Sequence, residues 1–262
     1  MPTPSTARMH DFEVVSNREI ADGIFSLVIS APKLASALKP GQFVNIAVPG
    51  DASSLLRVPL SFYRADAEAG TVELWYAVVG DDTRRLSQMA LAPPLTCWAP
   101  VAVAGWYPRA PGRHCSSPVA SAFRLCCVLP ACLPSRVLMW TCAWALAPLP
   151  RPWVSMSSVR WAPRLTCAPT TVRSARTVLH DPAAELLGEG GYDYVASCGP
   201  AVMMKKVAAA AAEAGVYCEV SLERMMSCGF GACNTCNVET VDGMKGACMC
   251  GPVFDASKVV VF

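Results

Sequence analysis

The chain has 262 residues, 16% of them charged, and a net charge of +2, so it can form one to three compact domains. The small net charge argues against a nucleic-acid-binding surface or an acidic partner. The charge is unevenly divided. Residues 90–179 carry nine Arg and no Asp, Glu or Lys, while the rest of the chain has a net charge of −7. A globular segment is about a quarter charged with both signs mixed, so residues 90–179 need a separate explanation.

The chain shows no membrane or export signal. The most apolar run, VLMWTCAWALAPLP, is interrupted by Thr141 and two prolines and is shorter than the ~18–20 residues that span a bilayer. The N-terminus, MPTPSTARMHDFEV, lacks an apolar core and predicts a short flexible lead over residues 1–10. We therefore expect a cytoplasmic protein, in which fourteen cysteines indicate metal or redox chemistry rather than disulfides.

Residues 11–92 predict a small antiparallel β-barrel. Turn signals such as Pro40-Gly41 and Ala69-Gly70 separate short runs of strand-forming residues. The predicted strands are FEVVSNREI, GIFSLVIS, QFVNIAVP, VPLSFYRAD and TVELWYAVVG. Short strands at this spacing are typical of such barrels, and the pattern alone does not identify a ligand.

Residues 90–179 predict neither helix nor strand, because thirteen prolines accompany only two glycines. The segment also holds six of the seven Trp and seven of the fourteen Cys. A GC-rich gene read out of frame produces this composition, since Trp and Cys codons straddle Leu-Gly and Leu-Leu junctions. In the other frame, TCWAPVAVAG permits L-L-G-P-x-G-x-G-W, and HCSSPVASAFRLCC permits L-L-V-A-G-G-V-G-V-P-P-L-L.

We interpret these features as a one-base slip near Ala90 and a compensating slip between Leu179 and Asp181. As printed, residues 90–179 are expected to be disordered or poorly folded. The alternative is a genuine Arg/Pro-rich linker, although such linkers are rarely rich in Trp and Cys.

Regular structure is predicted again after residue 180. DPAAELLGEG predicts a helix, and YDYVASCGP predicts a strand that runs into a turn at Cys198-Gly199-Pro200. AVMMKKVAAAAAEAG predicts an Ala-rich helix that ends at Gly215. We assign residues 93–221 to an α/β nucleotide-binding domain, whose expected glycine-rich turn falls in the anomalous segment.

Residues 222–262 predict an iron–sulfur module. The spacing Cys228-x4-Cys233-x2-Cys236-x11-Cys248 matches the C-x4-C-x2-C…C pattern of plant-type [2Fe-2S] sites. Three thiolates from one tight loop converge on a small cluster, and a following segment supplies the fourth. A zinc site and inert thiols are the alternatives, although zinc sites usually combine two C-x2-4-C pairs.

Two glycines and two further cysteines complete this region. Gly229 and Gly231 allow the backbone to fold closely around the cluster and to direct N–H groups at its sulfurs. Cys250 is predicted to be a bystander thiol beside the Gly251-Pro252 turn. Cys218 lies on a predicted strand, YCEVSL, and is expected in the core.

The segments ERMMSCGFGAC and GACMCGPVFDASKVV resemble the C-terminal module of the electron-transfer subunit of class B dihydroorotate dehydrogenases. In that family, E-R-x-M-x-C-G-x-G-x-C is followed by C-x-x-G-P-V-F. The resemblance implies that the cluster ligands are Cys228, Cys233, Cys236 and Cys248. Cys250 stands where that family usually has a polar residue.

The segments KPGQFVNIAVP, LLRVPLSFY and LWYAVVGDDTRRLS resemble the FAD-binding barrel of the ferredoxin-reductase-like superfamily. The resemblance implies a hydroxyl contact from Ser61, a wall formed by Pro59 and Leu60, a ring lining formed by residues 75–77, and a pyrophosphate cap from Thr83. Two positions depart, because Val58 replaces the usual Arg, with Arg57 beside it, and Asp82 replaces a Gly. The implied FAD site is Arg57, Val58, Pro59, Leu60, Ser61, Trp75, Tyr76, Ala77, Asp82 and Thr83.

Together these resemblances imply an α+β multidomain fold: an antiparallel flavin barrel, an α/β nucleotide-binding domain and a small [2Fe-2S] module. They imply that electrons pass from an FMN-containing dihydroorotate dehydrogenase catalytic subunit, in a heterotetramer, through the [2Fe-2S] cluster and FAD to NAD⁺ in pyrimidine biosynthesis. Two alternatives remain. One is a related subunit of the sulfide dehydrogenase or ferredoxin:NADP⁺ oxidoreductase type, and the other is a zinc-binding interaction module.

Overall fold

In a computed structural model, the described residues form two parts, one before residue 102 and one that consists of residues 137–141 and of residues after 183. The described residues are 8–39, 41–48, 56–89, 95–101, 137–141, 184, 187–188, 190, 192 and 194–262. The expected glycine-rich nicotinamide turn and residues 1–7 of the expected lead lie outside them. Most of the segment expected to be poorly folded, residues 90–179, also lies outside them.

The N-terminal part is a closed six-stranded barrel in the order β1-β2-β5-β4-β3-β6, and all of its pairings are antiparallel. This confirms the predicted barrel. Its strands are β1 (Arg8–Ala21), β2 (Ile24–Ser30), β3 (Phe43–Ile46), β4 (Val58–Asp66), β5 (Thr71–Ala77) and β6 (Leu95–Val101). Two short helices, α1 (Pro32–Ala37) and α2 (Asp81–Gln88), follow β2 and β5.

The barrel forms because its strands alternate between buried and outward-facing residues. In β5, Val72, Leu74 and Tyr76 are buried and the residues between them are half-exposed, as a two-residue period requires. These side chains share one core with Leu27 and Phe62. The core occupies the inside of the barrel, so the odd-numbered positions of β5 and positions 59, 61 and 63 of β4 face outward. A register shift between Phe62 and Arg64 then turns Ala65 into the core.

Two boundaries differ from those predicted. Strand β1 begins at Arg8, inside the expected flexible lead, and β6 lies beyond residue 92, where the barrel was expected to end. Strand β6 also corrects the expectation that residues 90–179 contain no strand. Composition misses β6 because strand pairing uses backbone N–H and C=O groups. The neighbours β1 and β3 supply these groups on both sides of β6.

The second part contains a four-stranded sheet in the order β12-β9-β8-β7. Its strands are β7 (Val137–Thr141), β8 (Tyr194–Cys198), β9 (Tyr217–Ser221) and β12 (Val253–Asp255). Strands β7, β8 and β9 are parallel, and helix α3 (Ala201–Glu213) connects β8 to β9. The predicted strand, the Ala-rich helix and its end near Gly215 are confirmed. Strand β7 is a second strand in the segment expected to contain none.

The C-terminal residues pack against this sheet and against the barrel. They form a hairpin of β10 (Asn237–Thr240) and β11 (Gly243–Gly246), a short helix α4 (Ala247–Cys250) and a 3-10 turn (Ala256–Lys258). One apolar core joins buried residues of the sheet and of this module to Phe43 of β3. The module is therefore fixed against the outer face of the barrel at β3. Among the described residues, no helix has the length and apolar character needed to span a bilayer.

Candidate functional site

The four predicted ligand cysteines come together as two pairs. Cys228 and Cys233 lie on the loop after β9, close enough for Cys228 to lower the pKa of the Cys233 thiol. Cys236 immediately precedes β10 and Cys248 lies on α4, where the backbone N–H of Cys248 points at Cys236 Sγ at 3.4 Å. The loop of the first pair also lies against α4, because a Cβ atom added to Gly231 would lie 2.7 Å from Cγ of Met249, the residue after Cys248.

The two pairs differ in their electrostatics. Hydrogen bonds from the side chain and backbone of Thr235, and then from Cys228, lower the pKa of the exposed Cys233 thiol to about 6. Burial, followed by the neighbouring Cys236, raises the pKa of the Cys248 thiol to about 12. A bound metal requires thiolates, so loading this site must displace a proton from Cys248.

The residues present fit a [2Fe-2S] cluster. Each iron of such a cluster takes two thiolates besides its bridging sulfides, and the site offers two pairs of sulfur donors. Backbone N–H groups already point at the sulfurs, as from Phe230 to Cys228 Sγ at 3.5 Å. No group of three His, Cys, Asp or Glu side chains in the described ranges is arranged around a single metal ion. The ligand roles of the four cysteines stay predictions.

The other two cysteines of this region are placed differently. Cys218 lies in the core, as predicted, and burial raises the pKa of its thiol to about 12. Cys250 is half-buried on α4, two residues after Cys248. Within the described residues, Cys250 makes no hydrogen bond to the four-cysteine site, and its role as a bystander stays a prediction.

The expected flavin wall is an outward-facing stripe on β4. Pro59 and Ser61 are exposed, and they lie beside Asn45 and Phe43 of β3 in the strand register. Farther along the stripe, the rings of Tyr63 and Trp75 stack at 3.8 Å between centroids and 9° between planes. The structure thus gathers Pro59, Ser61 and Trp75 on one outer face, to which Tyr63 adds a ring that the sequence did not indicate.

Two residues assigned to the flavin point the other way. Leu60 and Tyr76 are buried in the barrel core, and the Tyr76 hydroxyl donates to Asn17 Oδ1 at 3.0 Å. Their side chains cannot line an external cofactor, because consecutive residues of a strand face opposite sides of the sheet. The correction is that only the backbones of Leu60 and Tyr76 remain available to a flavin. Val58 also packs partly against this core, and Ala77, with no polar side-chain atom, is half-exposed.

Thr83 caps helix α2 rather than presenting a free hydroxyl. Its Oγ1 accepts from the backbone N–H groups of Val79 and Gly80, each at 3.0 Å, and donates to the carbonyl of Gly80 at 3.0 Å. The buried hydroxyl therefore satisfies groups that the helix start leaves open. The expected pyrophosphate contact from this hydroxyl has to be corrected, since the hydroxyl already has three partners.

The start of α2 carries two acidic residues. Asp81 pairs with Arg84 at 2.7 Å, and Asp82 lies 4.0 Å from Arg85. Carboxylates at a helix N-terminus stabilise the helix, and they also occupy the positive end that would otherwise attract a phosphate. The carboxylate of Asp82 therefore disfavours binding of the FAD pyrophosphate at this turn.

The barrel and the cysteine loop meet at a cavity of about 350 Å³ bordered by Met9, Arg57, Cys228 and Phe230. Arg57 reaches it from the barrel, where Nη1 donates to the carbonyl of Thr96 at 3.2 Å. The guanidinium of Arg57, which was assigned to the flavin site, thus borders the first cysteine of the loop.

Asn45 is a residue of this junction that the sequence did not reveal. It lies on the outer face of β3 with no exposed surface, and its amide lies directly against Gly229 of the cysteine loop. A single Asn in a strand of alternating pattern gives no signal that would distinguish it from an exposed polar residue.

Comparison with known proteins agrees with the site. Residues 223–260 match the family model of the iron-sulfur cluster binding domain of dihydroorotate dehydrogenase B. The electron transfer subunit of dihydroorotate dehydrogenase B (NAD(+)) from Desulforamulus reducens is 27% identical, over 97% of this chain and 99% of its own length. The subunit of the same name from Clostridium perfringens is 45% identical, over 29% of this chain and 30% of its own length.

The fold has a counterpart among solved structures. A chain of the NADH-dependent reduced ferredoxin-NADP oxidoreductase superposes with a TM-score of 0.70 at 22% identity, over 95% of this chain and 89% of its own length. The expected fold class and the resemblance stated from the sequence are therefore confirmed.

Proposed function

We propose that this homologue of the dihydroorotate dehydrogenase B electron transfer subunits is itself such a subunit. It accepts electrons from a dihydroorotate dehydrogenase catalytic subunit and delivers them to NAD⁺ in pyrimidine biosynthesis. The observation that carries the proposal is the meeting of Cys228, Cys233, Cys236 and Cys248 in two pairs. They lie within the segment that matches the iron-sulfur domain of that enzyme.

In this proposal the chain's residues hold one electron relay and one flavin side by side. When bound, a [2Fe-2S] cluster carries single electrons, and FAD exchanges either single electrons or a pair. The four cysteines hold the first group, with the Phe230 N–H group directed at Cys228 Sγ. The outward stripe of Pro59, Ser61 and Trp75 holds the ring of the second. Arg57 offers a positive charge in the cavity between the stripe and the cysteine loop.

The proposed nicotinamide position is the end of strand β8. Ligands of open α/β sheets bind outside the carboxyl ends of the parallel strands, and Cys198-Gly199-Pro200 occupies that place between β8 and α3. The thiol of Cys198 is buried, and burial raises its pKa to about 12, so it stays a neutral thiol. The glycine-rich turn that should complete the site falls on residues outside those described.

The proposed partner is an FMN-containing catalytic subunit in a heterotetramer, and the proposed location is the cytoplasm. The C-terminal module offers a surface for such a partner, because several large apolar side chains are more than half exposed there. They are Met225, Phe230, Val241 and Met244. Exposed apolar side chains of this kind mark protein-binding surfaces when they are grouped.

The test is an analysis of the anaerobically purified full chain and of single Cys→Ser variants. We expect flavin and iron–sulfur absorption bands and about two iron atoms per chain. Each of Cys228→Ser, Cys233→Ser, Cys236→Ser and Cys248→Ser should lose most of the iron. Cys250→Ser is the matched control and should retain it. A colourless protein that contains zinc, or an iron content that does not depend on the four cysteines, contradicts the proposal.

Partner choice needs a second experiment. Mixed with a catalytic subunit of the dihydroorotate dehydrogenase type, the loaded chain should support dihydroorotate-dependent reduction of NAD⁺. Reduction of NAD⁺ or NADP⁺ with sulfide or reduced ferredoxin, and none with dihydroorotate, would favour the related reductases instead. The interpretation of residues 90–179 is tested separately by the nucleotide sequence across codons 85–185 and by the intact mass of the native protein.

A further inference from the structure

Asn45 is buried between the barrel and the cysteine loop. Its neighbours Val44 and Ile46 point into the barrel core, whereas Phe43, two residues before Asn45, packs with the C-terminal core. Asn45 therefore faces the C-terminal module. It is 0% exposed, and neither Nδ2 nor Oδ1 has a hydrogen-bond partner in the described part of the chain.

Such an amide demands a partner, because a buried polar group without a hydrogen bond destabilises the fold. The Asn45 amide lies against the loop that contains Gly229. A Cβ atom built on Gly229 would collide with Asn45 Nδ2, and Gly229 directly follows Cys228. The amide thus lies beside the first cysteine of the proposed cluster site.

The sulfurs of a bound cluster would supply the hydrogen-bond acceptors that the Asn45 amide lacks within the described residues. Thiolate and sulfide sulfurs accept hydrogen bonds and do not donate them, so the donor Nδ2 is the atom suited to face them. Phe230 N–H already points at Cys228 Sγ at 3.5 Å, and the half-buried sulfur can accept a second hydrogen bond. Hydrogen bonds to the sulfurs of a cluster raise its reduction potential.

We propose that Asn45 is a positioning residue for the cluster, whose Nδ2–H group donates to a sulfur on the Cys228 side once the cluster is bound. This inference rests on the proposed function, since it requires the four cysteines to hold a cluster. Asn45 contacts the cysteine loop at Gly229 and lies beside Pro59 in the strand register. It therefore positions the cysteine loop relative to the proposed flavin wall.

The experiment compares Asn45→Leu and Asn45→Asp with Asn17→Leu, each made in the full chain. Leu keeps the approximate size of Asn and removes both polar atoms, and Asp keeps the shape and removes the donor. Asn17 is the matched control. Its amide has protein partners, donating to the carbonyl of Leu86 at 2.7 Å and accepting from Tyr76 at 3.0 Å. The first measurement is the urea concentration at which half of the metal-free chain is unfolded. The second is the reduction potential of the cluster in the loaded chain, monitored by electron paramagnetic resonance.

Without metal, Asn45→Leu should unfold at the same or a higher urea concentration than the parent chain, whereas Asn17→Leu should unfold at a lower one. With the cluster loaded, both Asn45 variants should show a lower potential than the parent chain, and Asn17→Leu should show the parent value. Loss of iron from a folded Asn45→Leu chain also supports the role.

Two results would overturn the inference. One is a loaded Asn45→Leu chain with the parent potential and resonance spectrum. The other is a metal-free Asn45→Leu chain as destabilised as Asn17→Leu, since its amide must then have a protein partner. An iron-free parent chain is a different result, because it removes the proposed function together with the inference.

Discussion

Replacing Gly229 with Ala should prevent the cluster from binding to a chain that still folds. The structure gives two separate causes for this effect. The first is the backbone, because Gly229 has φ +73°. An L-residue in this left-handed region costs about 1–2 kcal/mol. Gly243, the first residue of β11, has φ +93° and no atom within 4 Å of an added Cβ. Gly243→Ala therefore measures the backbone cost alone.

The second cause is steric and applies to Gly229. An added Cβ would collide with the amide of Asn45, which is fully buried and cannot swing into solvent. Forcing extra atoms into such a contact costs roughly a further 1–3 kcal/mol. Gly231 is an intermediate case, since its added Cβ would lie 2.7 Å from Met249 Cγ, an atom of a flexible side chain that can rotate away.

The assay is the free energy of unfolding in urea for the metal-free chains, together with the iron bound per chain after anaerobic reconstitution. We expect the loss of stability to rise from Gly243→Ala through Gly231→Ala to Gly229→Ala, and only Gly243→Ala to bind the full amount of iron. Adding Asn45→Ala to Gly229→Ala should recover the stability lost to the steric collision, while the loss caused by the backbone conformation should remain. If Gly229→Ala matches Gly243→Ala in both stability and iron, the contact with Asn45 has no energetic consequence and the reasoning fails.

Three further predictions concern single side chains. In the metal-free chain, iodoacetamide should label Cys233 rapidly at pH 7 and more slowly as the pH falls below about 6, because the pKa of its thiol is lowered to about 6. Cys218 is the control and should stay unlabelled, because the pKa of its thiol is raised to about 12. Peptide mass spectra measure both. Thr83→Val should lower the free energy of unfolding in urea by about 1–2 kcal/mol even without FAD, since a helix cap is lost. If the substitution lowers only the affinity for FAD, the hydroxyl contacts the pyrophosphate after all. Asp82→Asn should tighten FAD binding about 2–5-fold in fluorescence titrations at low salt, and an unchanged affinity would show that the carboxylate does not face the phosphates.

The sequence was most informative where function depends on short-range spacing. Cys228, Cys233 and Cys236 lie within one loop, so their spacing alone confines their sulfurs to a small volume. The strands of the barrel were also predictable, because their apolar residues alternate and turn residues separate them. Cys248 was assigned from the longer C-x4-C-x2-C…C pattern, but its approach to Cys236 depends on how α4 folds back, which spacing does not specify.

The sequence was least informative where a role depends on which way a side chain points. Leu60 and Tyr76 belong to segments that resemble a flavin site, and the strand register turns both into the barrel core. Thr83 has the residue type expected near a phosphate, but a local helix start takes up its hydroxyl. Asn45 gained its position from the packing of β3 against a loop more than 180 residues away in the chain. No local pattern records such a contact.

Strand β6 shows why an anomalous composition need not abolish the fold around it. The carbonyl of Thr96 accepts from Arg57 at 3.2 Å and from the backbone N–H of Ala47 at 3.0 Å, and neither bond depends on the side chain at position 96. Cys97 is the described side chain of this strand that fills the core, with 0% exposure. The alternative reading of TCW as Leu-Leu-Gly also supplies an apolar residue there. Because both readings place an apolar residue in the barrel core at this point, strand β6 can close the barrel in either frame.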